Sequence, residues 1–329
     1  MDIESTQKSE EVKPAASEVM TDHLYDLLVL GGGPAGLNAA MYAARKGLDV
    51  AVLSVNQGGQ MLNTALIENY LGIESIGGYE MSERFAAHLQ NYSVPVKEEA
   101  AIMEYRPNGI NHEVVLSSGE TYRSKTVIIA TGAIYRSLHV PGEYKYAGLG
   151  VSYCAICDAP LFRKKDVLVV GGGNSAVQAA LDLAKITSSV TLIHRSQFRA
   201  DKVLLDQLDI DPKMTVHLRT RIIEVIGDEF LSGVIVEDLD TGAHRTIHAK
   251  GLFIEIGQTP NIDPFKDVLQ ISEQGAIITD IHLATKIPGV FAAGNVREFP
   301  YKQIIIAAGE GAIAALSAND YIVQKYGKP

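Results

Sequence analysis

Both cysteines of the chain stand in one stretch, YCAICDAPLF at 153–162, as Cys154 and Cys157 with Asp158 directly after them. Two thiols at this spacing can help hold a metal, close a working disulfide, or be neighbours by chance. A closed structural zinc site draws about four ligands from Cys and His. Here there is no second cysteine pair, and the nine histidines show no ligand spacing near this one; no metal is expected. A redox pair explains more. Backbone N–H groups at the start of a helical turn lower a thiol pKa from about 8.5 to roughly 3.5–7.5. The thiolate attacks a disulfide, and the second thiol resolves the mixed intermediate.

The elements around the pair are two copies of one phrase. LYDLLVL from Leu24 reads as a buried strand, GGGPAG as a tight turn, LNAAMYAARKG as a helix ending at Gly47, and LDVAVLS as a second strand. The turn places Gly31, Gly33 and Gly36 in Gly-x-Gly-x-x-Gly order around Pro34 and Ala35. Glycines there admit a pyrophosphate to the backbone, and the helix N-terminus supplies unpaired N–H groups. The phrase returns as DVLVV, GGGNSA, VQAALDLAKI and SVTLIH, with Gly171, Gly173 and Ala176 around Asn174 and Ser175. The fold class read from this is α/β, with two Rossmann-like dinucleotide-binding domains, each a three-layer arrangement.

The ends of the second strands differ. An acidic residue about twenty positions after the first glycine binds a ribose hydroxyl in the general pattern. The first copy has Ser54 there; the second has His194 and Arg195, with Arg199 four residues on. Cations at that place favour an adenosine bearing a 2′-phosphate, hence NADPH, with NADH as the alternative.

KTVIIATGAIY, with Thr131 and Gly132, and GLFIEIGQTPN at 251–261 read as crossings between domains. The second domain is therefore expected to be inserted in the first. The expected bounds are a disordered leader over 1–21, a split domain over 22–128 and 252–329, and an inserted domain over 129–251. Near the end, GVFAAG reads as a strand running into a glycine turn, and QIIIAAGEGAIAAL as a helix of small residues. Its N-terminus at Gln303 would set positive dipole beside a ring that gains charge on reduction.

At 329 residues two domains are the default. The formal net charge of −10 argues against a nucleic-acid binder, which needs a basic face. No apolar run approaches the roughly twenty residues of a membrane span, and the first 22 residues lack the apolar core of a secretory signal. A cytoplasmic enzyme is expected.

From about residue 24 to about 320 the chain resembles the low-molecular-weight thioredoxin reductases, of the pyridine nucleotide–disulfide oxidoreductase class. The resemblance rests on Gly31 to Gly36, GGQ at 58–60, ENY at 68–70, ATG at 130–132, CAICD at 154–158, GGGNSA at 171–176, HRSQFRA at 194–200 and GVFAAGN at 289–295. It implies FAD in the split domain, on Gly31, Gly33, Pro34, Ala35, Gly36, Gly59, Gln60, Asn69, Thr131, Gly132, Gly294, Asn295, Gln303 and Ile304. It implies NADPH in the inserted domain, on Gly171, Gly173, Asn174, Ser175, Ala176, His194, Arg195 and Arg199. In such a protein Cys154 attacks the disulfide of thioredoxin or a thioredoxin-like small protein, Cys157 faces the flavin, and Asp158 gives and takes the proton. A homodimer is implied, as is rotation of the inserted domain about hinges near 128 and 252.

The chain departs from the usual pattern in four places. HRSQFR is one residue shorter and one arginine poorer; Gly294-Asn295 replaces Gly-Asp; Lys302-Gln303 replaces Arg-Gln; and Ala159 replaces a glycine after Asp158. None of these removes a reacting group. Two alternatives keep most of the chemistry: an NADH-dependent reductase of a peroxidase-linked dithiol carrier, and a flavin dithiol oxidase that uses no nicotinamide donor. Related ferredoxin or flavodoxin reductases usually lack the cysteine pair. A non-catalytic flavoprotein sensor would have no need to keep both glycine turns and the cysteines.

Overall fold

The computed structural model describes residues 18–64, 66–108 and 111–327. Most of the expected leader, residues 1–17, lies outside the described residues. The contacts divide the chain into two compact units: residues 1–61, 80–132 and 260–329 form one, and 62–79 with 133–259 the other.

In the first unit, β1 (Leu24–Gly32) is an apolar run whose residues 27–30 are fully buried. That pattern marks a strand covered on both faces. It leads into α1 (Pro34–Arg45), which opens with proline at a position where a missing N–H is harmless. The helix stops at Gly47, whose φ of 80° is the left-handed conformation of a helix end. β2 (Val50–Gln57) and β3 (Thr121–Ile129) pair parallel to β1 on either side. The sheet order is Val96–Lys97, β2, β1, β3, His112–Leu116, Ile102–Pro107. Side chains alternate across it. Leu27 and Val29 face a helical layer, while Leu28 and Leu30 face a second core with Tyr105, Val114, Tyr122 and Phe265.

The second unit repeats the plan. A short helix, α2 (Ala155–Asp158), carries the cysteine stretch. β4 (Asp166–Val170), α3 (Asn174–Ala184) and β5 (Ser189–Ile193) follow as the sequence predicts, and β6 (Gly251–Ile254) completes the centre. All strands of this sheet are parallel, in the order Met214–His217, β5, β4, β6, Val151–Ser152. One face packs on α3, and the other on an antiparallel sheet built from Thr220–Gly227, Leu231–Asp238 and His244–His248.

The crossings fall at 132/133 and 259/260, where the sequence suggested 128/129 and 251/252. The physical reason is β6. Its residues pair one for one with β4, Gly251 opposite Val167 through Ile254 opposite Val170, so they belong to the inserted sheet. After β3 and the Ala130–Gly132 turn, a short strand, Ala133–Tyr135, pairs with Gln258–Pro260. The chain then returns to the first unit as β7 (Val290–Ala292), paired with the C-terminal half of β3, and α4 (Ile304–Tyr326). α4 runs ten residues beyond the stretch QIIIAAGEGAIAAL, because Ala318 and Ile322 continue its buried stripe at helical spacing. Close packing against α1 is enforced at Gly311, where a Cβ would lie 2.1 Å from the carbonyl oxygen of Ala35.

Candidate functional site

Cys154 and Cys157 form a disulfide. Cys154 is the cap of α2, with extended backbone, and its sulfur accepts a hydrogen bond from the Cys157 N–H at 3.3 Å. This is the environment that stabilises a thiolate once the bond is reduced. Ala155 is buried, while Ile156 between the cysteines is 70 % exposed, so the turn has one face in the core and one in solvent.

Two carboxyl groups sit under this turn. Asp158 accepts a hydrogen bond from the Ser152 hydroxyl at 2.6 Å, and its other oxygen is buried without a hydrogen-bond partner. Burial pushes its pKa up against the opposing effect of that hydrogen bond. Glu255 follows β6 directly and accepts the Ala155 N–H at 3.1 Å. Burial raises its pKa to about 7. The sequence pattern picks out Asp158 and passes over Glu255. The signal was present as one acidic residue in the apolar run GLFIEIG, where an unpaired charge is costly.

The inserted unit also holds the second glycine turn. Gly173 caps α3 with no side-chain hydrogen bond, and a Cβ there would meet nothing within 4 Å. A bare helix N-terminus with room before it suits a phosphate. The Asn174 amide and Asp201 tie the turn to the next segment with reciprocal hydrogen bonds of 2.8 Å. Buried His194 stacks on Phe198 and packs against Gly172, where a Cβ would lie 2.3 Å from its Nε2. Burial and then the neighbouring Arg199 and Arg195 lower its pKa, so the cationic charge here belongs to the arginines. Arg195 and Arg199 are exposed, and neither forms an ion pair among the described residues. Two unengaged guanidinium groups beside an open helix end are what a phosphomonoester requires.

The first unit gathers Gly31, Gly33, Pro34, Ala35, Gly36, Gly59, Gln60, Thr131, Gly132, Gly294, Asn295, Gln303 and Ile304; Asn69 falls in the 62–79 segment grouped with the other unit. Its cradle is tight where backbone must pass and open where a ligand must enter. A Cβ on Gly36 would lie 1.8 Å from the Gly31 oxygen and one on Gly31 2.3 Å from the Ala130 oxygen, whereas one on Gly33 would meet nothing within 4 Å. Neither Gly33 nor Gln303 has a side chain capping its helix, so α1 and α4 both present bare N-termini. These residues fit a dinucleotide diphosphate and an electron-accepting ring.

A buried ion-pair network not foreseen from sequence fixes the Gly294 turn. Glu310 of α4 accepts the Gly294 N–H at 2.7 Å and pairs with Arg297 at 3.2 Å. Lys302 donates to the carbonyl oxygens of Asn295 and Arg297, at 3.3 and 2.7 Å. The Asn295 amide donates to the Gln60 side chain at 3.2 Å, which joins two of the expected contacts. A charge embedded in AAGEGAIA was the available clue to Glu310.

Comparison with known proteins follows the same lines. The alkyl hydroperoxide reductase F protein of Pseudomonas putida is 43% identical over 314 residues, covering 94% of this chain and 60% of that protein. The alkyl hydroperoxide reductase F protein of Staphylococcus aureus is 42% identical, with 94% and 61% covered, so the chain spans about three fifths of the curated relatives it matches. Among solved structures, thioredoxin reductase from Streptococcus pyogenes is 41% identical with a TM-score of 0.87, covering 92% of this chain and 99% of that one. Thioredoxin reductase from Giardia duodenalis is 31% identical, also at 0.87, with 92% and 100% covered. The model of the family described as pyridine nucleotide-disulphide oxidoreductase matches residues 25–311. That span takes in both glycine turns, the disulfide between them and the start of the returning helix: the chain belongs to the pyridine nucleotide-disulphide oxidoreductase family.

Proposed function

We propose that the protein is a thioredoxin-disulfide reductase, carrying electrons from NADPH through FAD and the Cys154–Cys157 disulfide to thioredoxin or a thioredoxin-like small protein. The observation that carries this reading is the disulfide itself, set at the start of a short helix above Asp158, in the same unit as a glycine turn flanked by two unengaged arginines. When bound, FAD supplies a two-electron link between a nicotinamide and a disulfide. The residues that would hold it are those of the first cradle, with Asn295, Gln60 and the N-terminus of α4. Those for the nicotinamide nucleotide are the second cradle with His194, Arg195 and Arg199.

In this reading Cys154, capping the helix, is the thiolate that attacks the partner, and Cys157 resolves the mixed disulfide. Asp158, buried and bonded by Ser152, keeps a proton to higher pH than an exposed aspartate and can pass it to a departing thiolate. Ile156 gives the partner an exposed apolar contact between the two sulfurs. Assembly as a homodimer and a cytoplasmic location belong to the same proposal. Among the described residues no helix is long and apolar enough to cross a membrane.

The test is the double substitution Cys154→Ser and Cys157→Ser. The variant should retain its flavin and its bleaching by NADPH, and lose at least about a thousandfold of its thioredoxin-reducing turnover. Near-normal turnover would end the relay. A second reading, service to a peroxidase through a dithiol carrier, is favoured by the two relatives named for alkyl hydroperoxide reductase. Anaerobic mixing separates the two: faster bleaching by NADPH supports the first reading, and faster bleaching by NADH the second.

A further inference from the structure

Glu255 makes contact with both halves of the inserted unit's chemistry. Its side chain accepts the N–H of Ala155, the residue after Cys154, at 3.1 Å. Its own N–H donates to Val170 at 2.9 Å, and its carbonyl oxygen would lie 2.3 Å from a Cβ on Gly171, the first glycine of the second cradle. One residue therefore fastens the redox turn to the nucleotide turn within a single sheet.

We propose that Glu255 is a positioning residue of the redox turn, whose carboxyl occupies the N–H beside Cys154 and whose ionisation opposes that of the Cys154 thiol. The first N–H of α2 is taken by Glu255 and the Cys157 N–H by the Cys154 sulfur, so two acceptors that can both become anions share one short turn. In the disulfide state Cys154 carries no charge, and burial alone, against the Ala155 hydrogen bond, sets the Glu255 pKa at about 7. Two-electron reduction with uptake of two protons breaks the S–S bond and gives two thiols. Loss of a proton from Cys154 then places a thiolate one residue from the N–H that holds the carboxyl, and a carboxylate in so dry a site would be repelled. Glu255 therefore holds its proton while Cys154 is the thiolate, and each group titrates in the presence of the other.

Two other titratable groups, Tyr135 and Asp158, sit beside the pair. Tyr135, from the strand before the redox segment, faces Glu255 and Asp158, and burial raises its phenol to about 12, so it stays neutral. Asp158 lies on the redox helix itself and bonds to neutral Ser152. Gln258, from the strand after Glu255, bonds to Tyr135 and is uncharged. No lysine or arginine pairs with Glu255 among the described residues. The position of its pKa near neutrality is what makes the opposition matter at working pH.

The inference rests on the reading of Cys154 and Cys157 as a cycling pair, but its test needs neither nicotinamide nor protein substrate. The flavin-loaded protein with Cys157→Ser, which leaves Cys154 the sole thiol, is kept reduced and alkylated with iodoacetamide from pH 5 to 9. With Glu255 present the rate should rise over a span broader than a one-proton curve. Adding Glu255→Gln, which keeps an acceptor for Ala155 but not the charge, should narrow the curve to one proton. It should also move the midpoint down by about one unit, raising the rate at pH 7 about three- to tenfold. Superimposable profiles, or a one-proton curve with Glu255 in place, would overturn the proposal. Should the glutamine variant lose its flavin, the breadth of the curve with Glu255 present decides alone.

Discussion

The two glycine turns are built alike as far as the helix and differently at two points beyond. In the first, the third small residue is Gly36, whose missing methyl would collide with the Gly31 oxygen at 1.8 Å; in the second, Ala176 carries that methyl and is fully buried. In the first, the matching position on the next strand is Ser54, inside β2, whose buried hydroxyl accepts the Gly32 N–H at 2.7 Å. In the second, the strand runs out into His194 and Arg195, with the buried imidazole against the turn and the guanidinium in solvent. In the proposed reading the cradle would recognise what dinucleotides share, a diphosphate on a helix end, and the strand end would separate one ligand from another. The first turn closes on itself through neutral hydrogen bonds; the second turns charge outward.

The difference at the third position gives the largest expected effect. Gly36→Ala forces a backbone shift that no side-chain motion relieves, and overpacking of this kind costs about 1–3 kcal/mol or more. The variant should purify with no more than a trace of flavin, read from its visible absorption. Ala176→Gly, the reciprocal change, removes a methyl and adds backbone freedom for about 1 kcal/mol, and should keep its flavin and its bleaching by NADPH. Equal flavin contents in wild type and Gly36→Ala would show that the two cradles are closer than their contacts indicate.

The strand ends give the next effect. Substituting Arg195→Ala and Arg199→Ala together should raise the KM for NADPH about a hundredfold, since charge-assisted hydrogen bonds contribute about 1.5–3 kcal/mol each and exposed ones fall at the low end. The KM for NADH should move little. Equal increases for both nucleotides would mean that the arginines hold the turn in shape, and the specificity argument built on the strand end would fail.

How far this was legible beforehand differs between parts of the molecule. The glycine turns and the paired cysteines were visible because their chemistry depends on residues adjacent in sequence, Asp158 entered only through the family resemblance, and the periodic apolar runs placed β1, α1, β4 and α3. What escaped depends on contacts across long stretches of chain. Glu255 meets Ala155 a hundred positions away, and Glu310 reaches back to Gly294 from the other side of a turn. Each appears in sequence as a lone acid in an apolar run, with nothing local to name its partner. The crossings were misplaced by a few residues for the same reason, since only strand pairing assigns 251–254 to the inserted sheet.

The smallest effect sits at the first helical residue, where the comparison can be made sharpest. Pro34 opens α1 by its fixed φ alone, whereas Asn174 opens α3 and is held by two hydrogen bonds with Asp201. The preceding glycines have nearly the same backbone, φ −79° and ψ −175° at Gly33 against φ −99° and ψ −179° at Gly173. That extended conformation is the one a following proline demands. Asn174→Pro should therefore preserve α3 and lose the tie to Asp201, which is exposed and contributes about 1 kcal/mol, together with one N–H of the bare helix end. The expected reading is a few-fold rise in the KM for NADPH with flavin content unchanged and the Tm lowered by no more than about 2–4 °C. If nicotinamide reduction is abolished, the Asn174–Asp201 tie does more than steady the turn. If the KM does not move, the two turns are interchangeable at this position, and their difference lies entirely at the third small residue and the strand end.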